Sequence, residues 1–83
     1  MTNPDTERQI EELLRQPYHK VVYGDPKEGY LGKVIQLPGC VTAGATELEA
    51  LENLKEAMAA WFESNIERGL PIPQPADQFE AAD

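Results

Sequence analysis

The sequence predicts an α+β fold in which a small antiparallel sheet of three to four strands packs on one long helix, with an extra helix at the N-terminus. Three observations predict it. Residues 18–45 alternate short β-prone runs with Gly/Pro turns, residues 46–69 place apolar side chains every three or four positions, and a proline-rich segment follows. With 83 residues the chain supports one modest core, because a chain of this size buries only about 60 to 65% of its unfolded surface.

Residues 1–17 read as an accessory helix. Asn3 is placed as N-cap and Pro4 as first helical residue, with Asp5 and Glu7 facing the positive end of the dipole. Ile10, Leu13 and Leu14 make a narrow apolar stripe, sufficient for docking but not for an independent helix. Pro17 closes the segment. Residues 18–75 read as the main α+β unit, beginning with a hairpin: Tyr18 to Tyr23, a turn from Gly24 to Gly29, then Tyr30 to Ile35. After the break at Leu37-Pro38-Gly39, Cys40 to Gly44 read as a third strand.

Thr46-Glu47-Leu48-Glu49 spells a capping box, in which Thr46 accepts from the Glu49 amide and the Glu49 carboxylate reaches back to the Thr46 amide. The helix it starts carries Leu48, Leu51, Leu54, Met58, Trp61, Phe62 and Ile66 on one stripe and ends at Arg68-Gly69. Leu70-Pro71-Ile72-Pro73-Gln74-Pro75 cannot be helical and is a poor central strand, since each proline lacks a ladder donor. Residues 76–83 read as a frayed acidic tail.

Fifteen acidic residues against seven basic give a net charge of -8. Direct nucleic-acid binding is not expected, because it depends on Lys and Arg neutralising phosphates. The acidity gathers on the helices and tail, while the sheet region carries Lys20, Lys27 and Lys33. Glu serves a helix both as a good former and as a solubilising group, and the same face could receive a basic partner. The longest uninterrupted apolar stretch, Ala57 to Phe62, is far short of the roughly 18 to 20 residues of a membrane span. The acidic opening residues are no secretory signal, so the expected location is the cytoplasm.

Catalytic candidates are thin. His19 has no Ser or Cys beside it, Cys40 reads as a small core residue, and Asp25 and Glu28 belong to a turn. A single Cys and a single His leave no zinc cluster, and no phosphate-cradling glycine loop is spelled. No catalytic, metal or cofactor site is expected. Both alternating sets of strand residues are substantially apolar, so neither sheet face is built for water alone. The long helix covers one face, and the other requires the N-terminal helix, a second copy or a partner. Association is therefore expected, with Tyr18, Lys20, Val22 and Val34 as the interface residues.

One run carries a resemblance. Gly29-Tyr30, then Pro38-Gly39-Cys40, Thr42, Gly44 and Thr46, then Glu49-Ala50, Asn53 and Glu56-Ala57, resembles the HicB antitoxin signature G-Y … P-G-C-x-T-x-G-x-T … E-A-x-x-N-x-x-E-A. It continues through Arg68-Gly69 into Ile72-Pro73-Gln74-Pro75, similar to the family's G … I-P-x-P ending, and spans roughly residues 18–75. The resemblance implies a truncated ribonuclease-H-like fold with a fourth strand after the prolines and no nuclease metal site. It also implies a non-enzymatic protein that binds and neutralises HicA, a small basic toxin that cleaves messenger RNA. Fuller members carry a C-terminal DNA-binding segment. None is seen after Pro75, so this is read as a short form. The matching residues have structural explanations: turns at Gly29 and Gly39, the cap at Thr46 and Glu49, and close packing at Ala50 and Ala57. The expected partners are further copies, in a dimer or tetramer, and a HicA-type toxin. The alternative is an orphan oligomeric binding module without a toxin.

Overall fold

The structure, a computed structural model, describes residues 4–75. Helix α1 (Pro4–Leu14) is followed by strands β1 (Lys20–Asp25), β2 (Gly29–Val34) and β3 (Val41–Gly44), then by helix α2 (Glu47–Glu67). The strands form one antiparallel sheet in the order β1-β2-β3. Tyr23 stands opposite Leu31, and Leu31 opposite Ala43. The expected α+β architecture is thus present, with the long helix against the sheet. The expected Asn3 cap and the acidic tail lie outside the described residues.

The hairpin is tighter than its composition suggests, because β1 runs on through Gly24 to Asp25 and leaves only residues 26–28 between the strands. The Asp25 carboxylate stabilises this turn by accepting from the amides of Lys27 (2.9 Å) and Glu28 (2.7 Å). Gly24 has a φ of 139°, and a Cβ there would strike the Gly29 carbonyl oxygen. Only glycine fits both demands.

Helix α2 is capped at both ends. Thr46 Oγ1 accepts from the Glu49 amide at 3.0 Å, as the capping box requires. The return bond differs from the expectation: the Glu49 carboxylate accepts from the Ala45 amide at 2.8 Å rather than from Thr46. The reason is the approach of the chain. Gly44 lies so close to the backbone of Glu49 and Ala50 that a Cβ would overlap the Ala50 amide nitrogen. At the other end the Leu70 amide donates to Asn65 O (2.8 Å) and the Gly69 amide to Ile66 O (3.2 Å). With Gly69 at a φ of 68°, this is a Schellman termination.

Ala50, Leu54, Met58 and Phe62 are fully buried along α2 and meet Tyr18, Val34, Leu37 and Cys40 from the sheet side. Each large apolar side chain removed from water here contributes roughly 1.5–3 kcal/mol. Trp61 is only partly buried. Its ring meets Phe62 edge-on at 6.0 Å, and its indole N–H donates to Pro38 O at 2.9 Å, tying α2 to the loop before β3. Helix α1 buries Ile10 and packs Leu13 and Leu14 against this core; it lies on α2, not on the sheet.

The sheet has three strands among the described residues. Residues 70–74 run as a strap without regular secondary structure, as the missing proline donors predict, and the fourth strand that the resemblance implies after the prolines lies outside the described residues. Side chains hold the strap: Tyr18 donates its hydroxyl proton to Pro73 O at 2.6 Å, and Ile72 packs on the core.

Substituting Gly44→Ala should destabilise the fold by about 1–3 kcal/mol, the usual cost of forcing extra volume into a packed junction. Urea unfolding followed by circular dichroism measures it, and a midpoint unchanged from wild type would contradict the close approach described.

Candidate protein-interaction surfaces

The two sides of the molecule differ in chemistry. On the helix layer, α1 and α2 carry ten carboxylates against two cations, Arg8 and Lys55. Glu47, Glu49, Glu52, Glu56 and Glu67 of α2 are exposed, as are Asp5, Glu7, Glu11 and Glu12 of α1. The line of α2 that faces the sheet runs at steps of four through Ala50, Leu54, Met58 and Phe62. Leu48 and Leu51, expected on the apolar stripe, fall beside that line and are 66% and 41% exposed, with the glutamates turned to solvent around them.

On the opposite side the sheet is open. Strand alternation and register put Val21, Tyr23, Leu31, Lys33, Val41 and Ala43 on one face, away from α2. Tyr23 is 49% exposed, Leu31 42%, Val41 53% and, just beyond β2, Ile35 38%. The residues expected at an interface belong to the other face. Tyr18 and Val34 are buried in the chain's own core, and Val22 is half-buried. Lys20 is exposed at the start of β1. Register explains the correction: Lys20 and Val22 stand opposite Val34 and Gly32, and a Cβ on Gly32 would contact the Ala50 carbonyl and Leu54. That face is already covered by α2.

The signature residues lie along the junction between sheet and helix. Tyr30 stands between Gly24 and Gly44 on the covered face, Gly29 opens β2 and Gly39 sits in the turn before β3, both with positive φ. Pro38 offers its carbonyl to Trp61, Thr46 and Glu49 cap α2, and Ala50 and Ala57 pack beneath it. The Asn53 side-chain amide donates to Ala43 O at 2.8 Å, binding α2 to β3. Cys40 is buried, and burial pushes its thiol pKa up from the ordinary value.

Reasoning from sequence missed Gln36. It is 1% exposed, yet every polar atom of its amide is engaged. Its Oε1 accepts from the His19 amide at 3.0 Å, while Nε2 donates to Pro75 O at 2.6 Å and faces His19 Nδ1 at 2.7 Å. Since Nε2 can only donate, His19 Nδ1 is the acceptor and the ring proton sits on Nε2. The one available signal was a Gln directly after an apolar strand, which periodicity does not distinguish from a surface residue. Three separated parts of the chain meet at this amide.

Catalytic chemistry is not assembled by these positions. His19 is engaged by Gln36, Asp25 by its turn, and Cys40 is buried. Among the described residues no group of His, Cys, Asp and Glu could hold a metal ion. No helix there is long and apolar enough to cross a membrane. A solvent-open depression of about 380 Å³ at the hairpin is lined by Tyr23, Asp25, Glu28, Tyr30 and Gly44.

Two expectations follow. Gln36→Leu strands the His19 amide and the Pro75 carbonyl and should cost about 1–3 kcal/mol, with faster hydrogen exchange at His19 as the specific readout. Cys40 should react far more slowly with a thiol reagent in the native protein than in urea. A raised pKa also means that any stability linked to this thiol is fully present below the ordinary thiol range and is lost as pH climbs from there through the raised value of the folded protein. Equal labelling rates in the folded and unfolded chain would contradict its burial.

Comparison with known proteins agrees with the sequence signature. Residues 18–82 match the model of the HicB-like antitoxin of bacterial toxin-antitoxin systems. The UPF0150 protein Ta0767 of Thermoplasma acidophilum is 40% identical over 57 residues, covering 69% of this chain and 83% of that protein. An uncharacterized 14.9 kDa protein from the rep-hol intergenic region of Haemophilus phage HP1 is 39% identical over 54 residues, 63% of this chain and 41% of that protein. No solved structure matches significantly. With the signature, the sheet-on-helix fold and a matched segment covering most of its length, the chain belongs to the HicB-like antitoxin family.

Proposed function

We propose that this protein is the antitoxin of a toxin-antitoxin pair, binding a small basic HicA-type toxin and blocking its cleavage of messenger RNA. The observation that carries the reading, beside the family, is the acidic helix layer. Ten carboxylates on two packed helices form a broad negative surface, which draws in a basic protein and competes with RNA for the same cationic groups. The protein acts stoichiometrically and without catalysis, through occlusion, in the cytoplasm where the toxin meets its RNA. Copies of the chain associate as a dimer or tetramer.

A second reading, an orphan oligomeric binding module, is favoured by one feature: the open sheet face offers a surface for association that needs no toxin.

The test is RNA cleavage by a HicA-type toxin encoded beside this protein. Cleavage should fall in proportion to added protein and cease near equimolar ratio. Paired reversal Glu52→Lys and Glu56→Lys, at exposed positions, should slow association by about tenfold at low salt and by less at high salt. Undiminished cleavage at a large excess of protein would reject the antitoxin reading and leave the orphan module.

A further inference from the structure

The molecule is a slab 19 Å thick and about twice as broad, with one layer of helices and one of sheet. One apolar sheet face is covered by α2. The other, with Tyr23, Leu31, Ile35 and Val41 exposed, is covered by no described element. We infer that a second copy of this chain packs on that face, sheet against sheet, to give a helix-sheet-sheet-helix sandwich with both acidic layers outward. The inference deepens the association proposed above by assigning its surface, and rests on that reading only to this extent; it holds whether or not a toxin binds.

Charge selects the occupant. Two chains of net charge -8 repel, and they repel most through the helix layers, where the carboxylates are. The sheet face is the broad surface on which identical chains can approach. Among the strand residues that the register puts on this face, the charged groups are Lys33 on the central strand and Asp25 at the hairpin end, Lys20 belonging to the other face. A basic partner gains nothing from Lys33.

The same two charges make the face self-complementary. The rows of the register run Val21 with Lys33, then Tyr23 with Leu31, then Asp25 with Gly29. A twofold axis through the middle row maps the Lys33 row of one copy onto the Asp25 row of the other. Lys33 of each copy then meets Asp25 of its mate, while Tyr23 and Leu31 pack across the axis, as an isologous contact requires. Packed sheets lie about 10 Å apart with strands roughly 30° off parallel, spacing that these side chains fill. Three strands at about 4.8 Å and six residues at about 3.3 Å give a face of about 15 by 20 Å. That is below the roughly 800 Å² per partner of a standard interface, so the dimer forms and dissociates with concentration.

Sedimentation of the full chain across a concentration series, with no other protein present, tests this. Wild type should pass from monomer to dimer as concentration rises. Leu31→Asp and Tyr23→Asp, both at exposed positions, should each weaken the dimer by about tenfold or more while leaving the circular dichroism spectrum and melting unchanged. Glu52→Lys should not weaken it. Asp25→Asn keeps the side-chain oxygen that the turn requires and should weaken the dimer severalfold, with no further loss when combined with Lys33→Met. A wild-type monomer at all concentrations, or a dimer indifferent to both Leu31→Asp and Tyr23→Asp, would overturn the proposal. Loss of toxin binding without loss of dimer in those variants would overturn it too, since the face would then belong to the toxin. None of these results depends on whether cleavage is inhibited, so the interface and the antitoxin reading fail separately.

Discussion

The close approach of α2 to the sheet is the constraint on which the rest depends. Gly32 and Gly44 present bare backbone to the start of the helix, and Ala50 enters between them with no exposed surface. Because the axis is held this near, Leu54, Met58 and Phe62 reach the core in succession, and Asn53 can bridge to the Ala43 carbonyl. A larger residue at the junction would lift the first turns of the helix and open every later contact. Much of the family signature is therefore the specification of one helix-sheet contact, with its turns and caps as boundary conditions.

That contact has a consequence for binding. A helix packed tightly over one sheet face uses up the apolar side chains of that face and leaves the complementary set without an internal partner. Helix α1 does not compensate, since it extends the helix layer by lying on α2. A two-layer protein of this size thus ends with an apolar face on one side and a carboxylate-rich one on the other, with surfaces suited to different partners. The division follows from amphipathicity: the stripe that fits α2 to the sheet sets the opposite orientation for its glutamates.

The Gln36 amide plays the corresponding role at the far end of the sheet. The segment after α2 contains too many prolines to join the ladder, so its carbonyls need donors from elsewhere. Gln36 and Tyr18 supply them, to Pro75 and Pro73 respectively. A buried amide with all its partners in place is neutral or favourable, whereas the same amide with one partner missing is costly, so this junction holds the strap in a single position.

The elements governed by local chemistry were legible in the sequence. The Thr46 cap, the existence of the hairpin, the later part of the α2 stripe and the Arg68-Gly69 stop all depend on residues within a few positions of one another. So did the failure of residues 70–75 to form a strand. Tertiary structure alone decided which sheet face α2 covers. Val22 and Val34 on one side and Val21, Leu31 and Val41 on the other are equally apolar, and a period of two cannot rank two equivalent faces. It also decided the bonds of Gln36, whose partners lie 17 and 39 residues away, and the return bond of Glu49 to Ala45, which depends on how closely β3 meets the helix. The physical reason is the same in each case: periodicity and capping are properties of a few consecutive residues, while burial is a property of whatever the folded chain brings alongside them.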